Sequence, residues 1–236
     1  MQYNPTVISH FCPICGGRNI SDVATLDRYK IKVNLSCCQK CGLVFLNPKL
    51  TQDEYLDFYF NSGYRKLIKQ YKNLIGRPVV EVENDKQYFK NVIKGLKFNR
   101  MLDIGGTTGK VDGKVCISVN PAGCDMLGEN QIVEQFERAS IDGSFDLILM
   151  CRTVEHLYDL PVCFKKAYLH LTYNGIFFVD FVNFDVDATI KIDHLYYFTR
   201  QSMTKLLQSS GFEIIKEFKS FVRHISYFCK KGIKLY

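Results

Sequence analysis

Two Cys-x-x-Cys pairs near the start of the chain constrain its fold more than any other feature. The first pair is Cys12 and Cys15, the second is Cys38 and Cys41, and 22 residues separate the pairs. In each pair two thiolates can bind one tetrahedral ion, and the glycine that follows permits the tight turn behind the second ligand. The spacing is close to that of structural zinc sites. Four thiolates leave no coordination position open, so the zinc would be structural.

Apolar residues flank the second pair in the manner of the strands of a zinc ribbon. Ile31, Val33 and Leu35 alternate before it, and residues 43–46 (Leu-Val-Phe-Leu) follow it. We therefore predict a zinc ribbon over residues 1–50, with redox-active or coincidental cysteines as the alternative. The other six cysteines are scattered, and in a reducing compartment we expect them to be small buried apolar residues.

A helical connector is predicted over residues 51–98. Asn47-Pro48 ends the ribbon, and Thr51 with Glu54 has the spacing of a capping box that opens a helix. A helical apolar stripe, expected to pack on the third segment, consists of Tyr88, Phe89, Val92, Ile93 and Leu96.

The net charge of +7 lies entirely before residue 99, because residues 1–98 hold 15 Lys and Arg against 8 Asp and Glu, and residues 99–236 hold 16 against 16. A basic face between Arg65 and Lys97 could attract a phosphorylated or otherwise acidic partner. The alternative is a solvated helix surface. The balanced charge of the C-terminal half argues against a nucleic-acid partner.

Residues 99–236 alternate strand and helix signals, which predicts an α/β fold with a mostly parallel sheet covered on both faces. The predicted strands are 100–104, 115–119, 145–150 and 175–182. One helix is expected to begin at Pro161 and end before Asn174, and another to cover 200–209. Residues 212–218 and 222–229 are expected to close the sheet as an antiparallel pair.

The composition is that of a globular chain, 47% hydrophobic and 23% charged. No apolar run approaches the ~18–20 residues of a membrane span. Met1 to Gly17 lack a basic stretch followed by an apolar core, so no secretory signal is predicted. These observations predict a cytoplasmic protein without a membrane partner.

Residues 101–109 (Met-Leu-Asp-Ile-Gly-Gly-Thr-Thr-Gly) read as a strand that runs directly into a glycine-rich turn. In open parallel sheets, ligands bind beyond the carboxyl ends of the strands, where glycines let the backbone approach the ligand. Alone, this pattern also fits an ordinary turn between a strand and a loop.

Three further segments, in their order, make the pattern more specific. They are residues 145–159, which include Glu155-His156, residues 173–180 (Tyr-Asn-Gly-Ile-Phe-Phe-Val-Asp) and residues 194–199 (His-Leu-Tyr-Tyr-Phe-Thr). Together with the glycine turn they resemble the class I S-adenosylmethionine (SAM)-dependent methyltransferases over residues 99–217. The fused ribbon resembles the group that modifies sugars, often nucleotide-linked. The resemblance implies a Rossmann-like sheet over residues 99–236.

The resemblance also implies a set of SAM-binding residues. These residues match the family's positions around the methionine part, the ribose and the adenine of SAM and at the rim of the cleft. They are Asp103, Gly105, Gly106, Gly109, Asn120, Asp125, Glu129, Cys151 and Arg152. Two positions depart from the usual pattern, since Thr107 replaces a glycine and Asn120 replaces a ribose-binding carboxylate. Only eleven residues separate Gly109 from position 121, so the first crossover helix is expected to be missing or reduced to a turn.

The same resemblance places Glu155, His156 and His194 on the acceptor side of the cleft. Histidine can take a proton near neutral pH, and the adjacent Glu155 could orient it or bind a substrate hydroxyl. A structural pair at a helix start is the alternative for Glu155-His156. Arg152 stands where some relatives have a metal-binding acid, so no second metal site is expected.

The leading hypothesis is a SAM-dependent methyltransferase with a small acidic acceptor, a nucleotide-linked or glycan sugar. His156 or His194 would remove the acceptor proton. One alternative is a catalytically degenerate methyltransferase fold that serves as a binding scaffold. The other is a nucleic-acid-associated protein, because zinc ribbons and basic helices can serve that role.

Overall fold

The computed structural model describes residues 3–61, 64, 66, 69, 91–106, 111–121, 130–221 and 223–232. The strands are β1 (Ile20–Leu26), β2 (Lys32–Cys38), β3 (Val44–Leu46), β4 (Arg100–Ile104), β5 (Val115–Val119), β6 (Gln131–Ile132), β7 (Phe145–Cys151), β8 (Leu171–Val182), β9 (Tyr196–Tyr197), β10 (Phe212–Phe221) and β11 (His224–Lys231). The α-helices with both ends among the described residues are α1 (Gln52–Leu56), α2 (Leu160–His170) and α3 (Arg200–Ser209), and residues 91–93 are also helical. A π-helical turn covers Asp57–Asn61, and a 3₁₀ turn covers Val154–His156.

The larger sheet is mostly parallel, as predicted, and its strand order is β10-β11-β8-β7-β4-β5-β6. β4 pairs in parallel with β5 and with β7, and β8 pairs in parallel with β7. β11 and β10 close the sheet as the predicted antiparallel pair. The chain runs from β4 outward to β6 and then returns to β7 on the other side, so the topological switch point lies between β4 and β7. Ligands of open α/β sheets bind at such a point.

The connection from β4 to β5 is unusually short. Residues 105–114 join the two parallel strands, whereas such a crossover normally takes about a dozen residues or more. Among the described residues of this connection, 105–106 and 111–114, none is helical. The predicted shortening of the first crossover is therefore confirmed.

Both long helices begin at side-chain caps that the sequence supplies. Asp159 accepts a hydrogen bond from the Val162 amide at the start of α2, and Thr199 forms a capping box with Ser202 at the start of α3. The buried residues of α2 recur at helical spacing and are Leu160, Cys163, Phe164 and Ala167. They pack on the same face of the large sheet as the ribbon, in one continuous core. A second, smaller core covers the opposite face around Met101 and Leu149.

The N-terminal ribbon is joined to the C-terminal half by a strand. β1, β2 and β3 form an antiparallel sheet whose fourth strand is β9, with Val44 paired to Tyr197 and Phe45 to Tyr196. Lys49 reaches across from the ribbon and donates to the Tyr158 carbonyl at 3.0 Å. The ribbon therefore forms part of the wall beside the 3₁₀ turn.

Some boundaries differ from the predicted ones. α2 ends at His170 and β8 begins at Leu171, four residues earlier than predicted, because Leu171 is fully buried and pairs with Phe145. β6 and β9 were not predicted, since each is only two residues long. The capping box at Thr51 and Glu54 is confirmed. Ile93 of the predicted connector stripe is buried, whereas Tyr88 and Phe89 lie outside the described residues.

Candidate active site

The turn after β4 has room for glycine alone at its first position. Gly105 has a φ of +101°, and a Cβ built there would lie 2.1 Å from Oγ1 of Thr153. The Thr153 hydroxyl donates to the Ile104 carbonyl at 3.0 Å. Gly106 follows with a φ of +67°. The contact holds the end of β4 against the segment that follows β7, directly at the switch point.

Asn120 supports this turn from the neighbouring strand. Its side-chain amide donates to the Gly105 carbonyl at 2.9 Å, while the Gly105 amide donates to the Val119 carbonyl at 2.9 Å. Asp103 is fully buried in β4. The structure thus brings Asp103, Gly105, Gly106 and Asn120 to one corner of the sheet. The remaining predicted SAM-binding residues of this corner lie outside the described residues and are Gly109, Asp125 and Glu129.

Cys151 and Arg152 end β7 on the other side of the switch point. Burial raises the pKa of the Cys151 thiol well above its usual value, and the charges of Asp103 and Asp180 raise it further. Cys151 is therefore a neutral buried thiol. Arg152 has a φ of +53°, which is uncommon for a residue with a side chain, and its amide donates to the Asp180 carbonyl at 3.1 Å. Such backbone conformations cluster at binding sites.

The 3₁₀ turn that follows carries Glu155 and His156. Glu155 is buried and accepts a hydrogen bond from the Val182 amide at 2.9 Å. Nδ1 of His156 lies 2.8 Å from the Asp193 carbonyl oxygen. Because a carbonyl oxygen can only accept, Nδ1 carries a proton, and in the corresponding neutral tautomer the lone pair is on Nε2. Nε2 is therefore the atom of His156 that can take a proton.

Aromatic rings from the connector cover His156. The Tyr59 ring, on the π-helical turn, stacks on the imidazole with centroids 4.6 Å apart, and its hydroxyl lies 3.4 Å from Nε2. Tyr55 stacks on Tyr59 and donates to the Asp193 carbonyl at 2.7 Å. The imidazole is half-buried, and the Tyr59 ring covers one of its faces while its hydroxyl lies beside Nε2.

His194 lies against His156, with the rings edge to face and their centroids 4.7 Å apart. Burial lowers the pKa of His194 well below its usual value, and the charge of Lys191 lowers it further. His194 is therefore neutral at physiological pH. His156, Asp193 and His194 offer ligand atoms within 4.8 Å of one another, so these acid-base groups form one cluster that could also hold a metal ion.

The four ribbon cysteines come together as predicted. Sγ of Cys12 lies 3.6 Å from that of Cys41, and Sγ of Cys15 lies 3.5 Å from that of Cys38. A tetrahedral ion with Zn–S bonds of about 2.3 Å requires sulfur atoms about 3.8 Å apart. In each knuckle the amide of the following glycine donates to the carbonyl of the knuckle's first cysteine, Gly16 to Cys12 and Gly42 to Cys38. The residues present therefore fit a structural zinc ion.

Comparison with known proteins decides the family. The sequence of residues 83–217, more than half of the chain, matches a family described as the methyltransferase domain. The chain belongs to this methyltransferase family. No curated protein sequence gives a significant match.

Solved structures show the same fold. A SAM-dependent methyltransferase from Leishmania major has a TM-score of 0.57 and 20% identity, over 77% of this chain and 84% of that one. The 1,6-didemethyltoxoflavin-N1-methyltransferase of Burkholderia thailandensis has a TM-score of 0.57 and 12% identity, over 80% of this chain and 96% of that one. Its structure contains 1,6-didemethyltoxoflavin and S-adenosylhomocysteine. The predicted Rossmann-like methyltransferase fold is confirmed.

Sequence reasoning missed several residues that the structure places around His156 and His194. Tyr55 and Tyr59 are four residues apart after the capping box, a helical spacing that was available in the sequence. Asp193 and Lys191 gave no signal, because they belong to an irregular segment between β8 and β9. No helix in the described ranges is long and apolar enough to cross a membrane.

Proposed function

We propose that this protein transfers the methyl group of SAM to a small acidic acceptor, a nucleotide-linked or glycan sugar. The observation that carries the proposal is the contact between Gly105 and Thr153. It fixes the glycine turn against the segment that leads, two residues later, into Glu155-His156. A cofactor-binding turn and a proton acceptor are thereby held side by side at the switch point of the sheet.

The residues at the turn fit the cofactor. The Gly105-Gly106 backbone carries no side chains where a ligand must approach closely, and Asn120 lies beside it. Asp103, Gly105, Gly106, Gly109, Asn120, Asp125, Glu129, Cys151 and Arg152 would hold the cofactor. Bound SAM would supply a methyl group on a sulfonium, which an acceptor atom takes up by displacement.

The protein's own part in the reaction is alignment, exclusion of water and proton removal. Nε2 of His156 would take the acceptor proton, because Nδ1 is held by the Asp193 carbonyl. The protonated ring would then lie beside the Asp193 carboxyl group, which offers an oxygen within 4.8 Å of a ring nitrogen of His156. Neutral His194 packs against the ring and limits its movement.

Calorimetric titration with SAM and with S-adenosylhomocysteine tests this function directly. We expect micromolar binding of both ligands to the metal-replete protein, since Gly105 and Gly106 adopt the left-handed backbone conformations that leave room for a ligand. Binding would justify a screen of nucleotide sugars as acceptors. Absence of binding at millimolar ligand would contradict the proposal.

One observation favours the scaffold alternative. The Asn120 amide is used to support the Gly105 carbonyl, and an amide accepts ribose hydroxyls more weakly than a carboxylate does. Under this alternative the titration shows no cofactor binding, and the protein would act through partners. Replacing Asn120 with aspartate would then restore no binding either, because a carboxylate cannot donate to the Gly105 carbonyl and the turn would lose this support.

We also propose that the ribbon holds one structural zinc ion, and we expect about one zinc per chain by elemental analysis. Cys38→Ala should release the zinc and unfold the ribbon. Cys37→Ala is the matched control, because Cys37 is the adjacent residue on β2 and lies outside the group of four sulfur atoms. Metal-free wild-type protein, or equal zinc content in the two variants, would contradict the assignment.

A cytoplasmic location is part of the proposal. The described cysteines outside the group of four form no disulfide bond, and most of them are buried. Free buried thiols fit a reducing compartment.

A further inference from the structure

A small pocket opens beside the 3₁₀ turn, between the end of β8 and the segment that leads to β9. Its polar lining consists of Glu155, Asp187, Thr189, Lys191 and His194, the last of which belongs to the acid-base cluster. Phe184 and Tyr197 supply apolar walls. The pocket therefore combines one basic and two acidic side chains with apolar surface, beside the proposed proton acceptor.

One carboxylate oxygen in this pocket has no hydrogen-bond donor. Glu155 is 2% exposed, and one of its oxygens accepts from the Val182 amide, but Oε2 has no partner in the described part of the chain. A buried carboxylate oxygen without a donor is destabilising, and a ligand that supplies a donor relieves this cost. A hydroxyl group is the complementary donor.

The Lys191 side chain lies in the same pocket. Its burial lowers the pKa of the ammonium group, and so does the charge of Arg28, whereas the charges of Asp193, Glu155 and Asp187 act in the opposite direction. Among the described residues no carboxylate comes within ion-pair distance of its ammonium. Asp187 is already engaged, since it accepts from Thr189 and pairs with Arg223 at 3.2 Å. The ammonium can therefore pair with an incoming anion.

We propose that Lys191 binds the anionic group of the acceptor, while Oε2 of Glu155 accepts a hydroxyl of the same molecule. This inference rests on the proposed function and names its substrate class: an acceptor whose carboxylate or phosphate lies within one sugar ring of a hydroxyl. It assigns recognition of the acid to Lys191 rather than to the basic connector. Placing the acid there directs the hydroxyl-bearing end toward Glu155 and the neighbouring His156.

The test uses three probes that share one sugar ring: methyl glucoside, which is neutral, glucuronate, which carries a carboxylate, and glucose 1-phosphate. Each is titrated into the full-length protein, with and without S-adenosylhomocysteine. We expect at least one charged probe to bind about tenfold or more tightly than the neutral probe, because an ammonium–anion hydrogen bond is stronger than a neutral one. Binding of glucuronate alone identifies a carboxylate site, and binding of glucose 1-phosphate alone identifies a phosphate site.

Lys191→Met should weaken binding of the charged probe about tenfold or more, whereas Lys191→Arg should retain most of it. Lys165→Met, on the exposed side of α2, is the matched control and should change nothing. Affinity for S-adenosylhomocysteine tests folding and the proposed function independently of the Lys191 site. All three variants should preserve this affinity. Equal binding of charged and neutral probes, an unaffected Lys191→Met variant, or no charged-probe binding by protein that binds S-adenosylhomocysteine would overturn the inference.

Discussion

Gly105→Ala is expected to abolish measurable SAM binding and to destabilise the fold by about 2–4 kcal/mol, combining left-handed backbone strain with a steric clash. The added Cβ would lie 2.1 Å from Oγ1 of Thr153, at a φ of +101°. Thr153 would have to move and give up its hydrogen bond to the Ile104 carbonyl. The two sides of the switch point would then separate. Calorimetric titration with SAM and chemical denaturation measure the two effects.

Gly113→Ala is the matched control for this variant. Gly113 has a φ of +70°, but a Cβ there has no atom within 4 Å. Gly113→Ala should therefore lower the free energy of unfolding only through left-handed backbone strain, by about 1–2 kcal/mol, and should keep its SAM affinity. Adding Thr153→Ala to Gly105→Ala removes the clashing oxygen and should recover part of the stability. Equal loss of SAM binding in the Gly105 and Gly113 variants would show that the Thr153 contact has no role.

The features that the sequence predicted well are those encoded locally. The knuckles at Cys12 and Cys38 depend on residues a few positions apart, and their spacing alone predicts one four-sulfur site. β4 and β5 were predicted to the residue, because short apolar runs bounded by turns indicate buried parallel strands. Local sequence patterns therefore predict the fold class and the position of the glycine turn at Gly105.

The features that the sequence did not predict depend on contacts between distant segments. The tautomer of His156 is set by the carbonyl of Asp193, 37 residues further along the chain. The burial that keeps His194 neutral comes from tertiary packing, which includes its edge-to-face contact with His156. β9 pairs with the ribbon edge at Val44 and Phe45. A pair of apolar residues in the sequence does not indicate such a long-range pairing. Chemistry that depends on such packing becomes visible only in three dimensions.

His156→Ala is expected to lower turnover by about 10²–10⁴-fold, the usual contribution of a positioned acid or base. SAM affinity should be unchanged, because the imidazole lies beyond Thr153 and does not support the glycine turn. Initial rates with an acceptor that the wild-type protein methylates, together with SAM titration, separate these effects.

His170→Ala is the matched control for His156→Ala. His170 also places Nδ1 2.8 Å from a backbone carbonyl, that of Gly143, but at the far end of α2. It tests whether loss of this kind of hydrogen bond alone affects turnover, and we expect no change. If His156→Ala keeps full turnover, proton removal does not depend on Nε2. The role would then pass to His194, whose low pKa leaves it neutral but makes it a weak base.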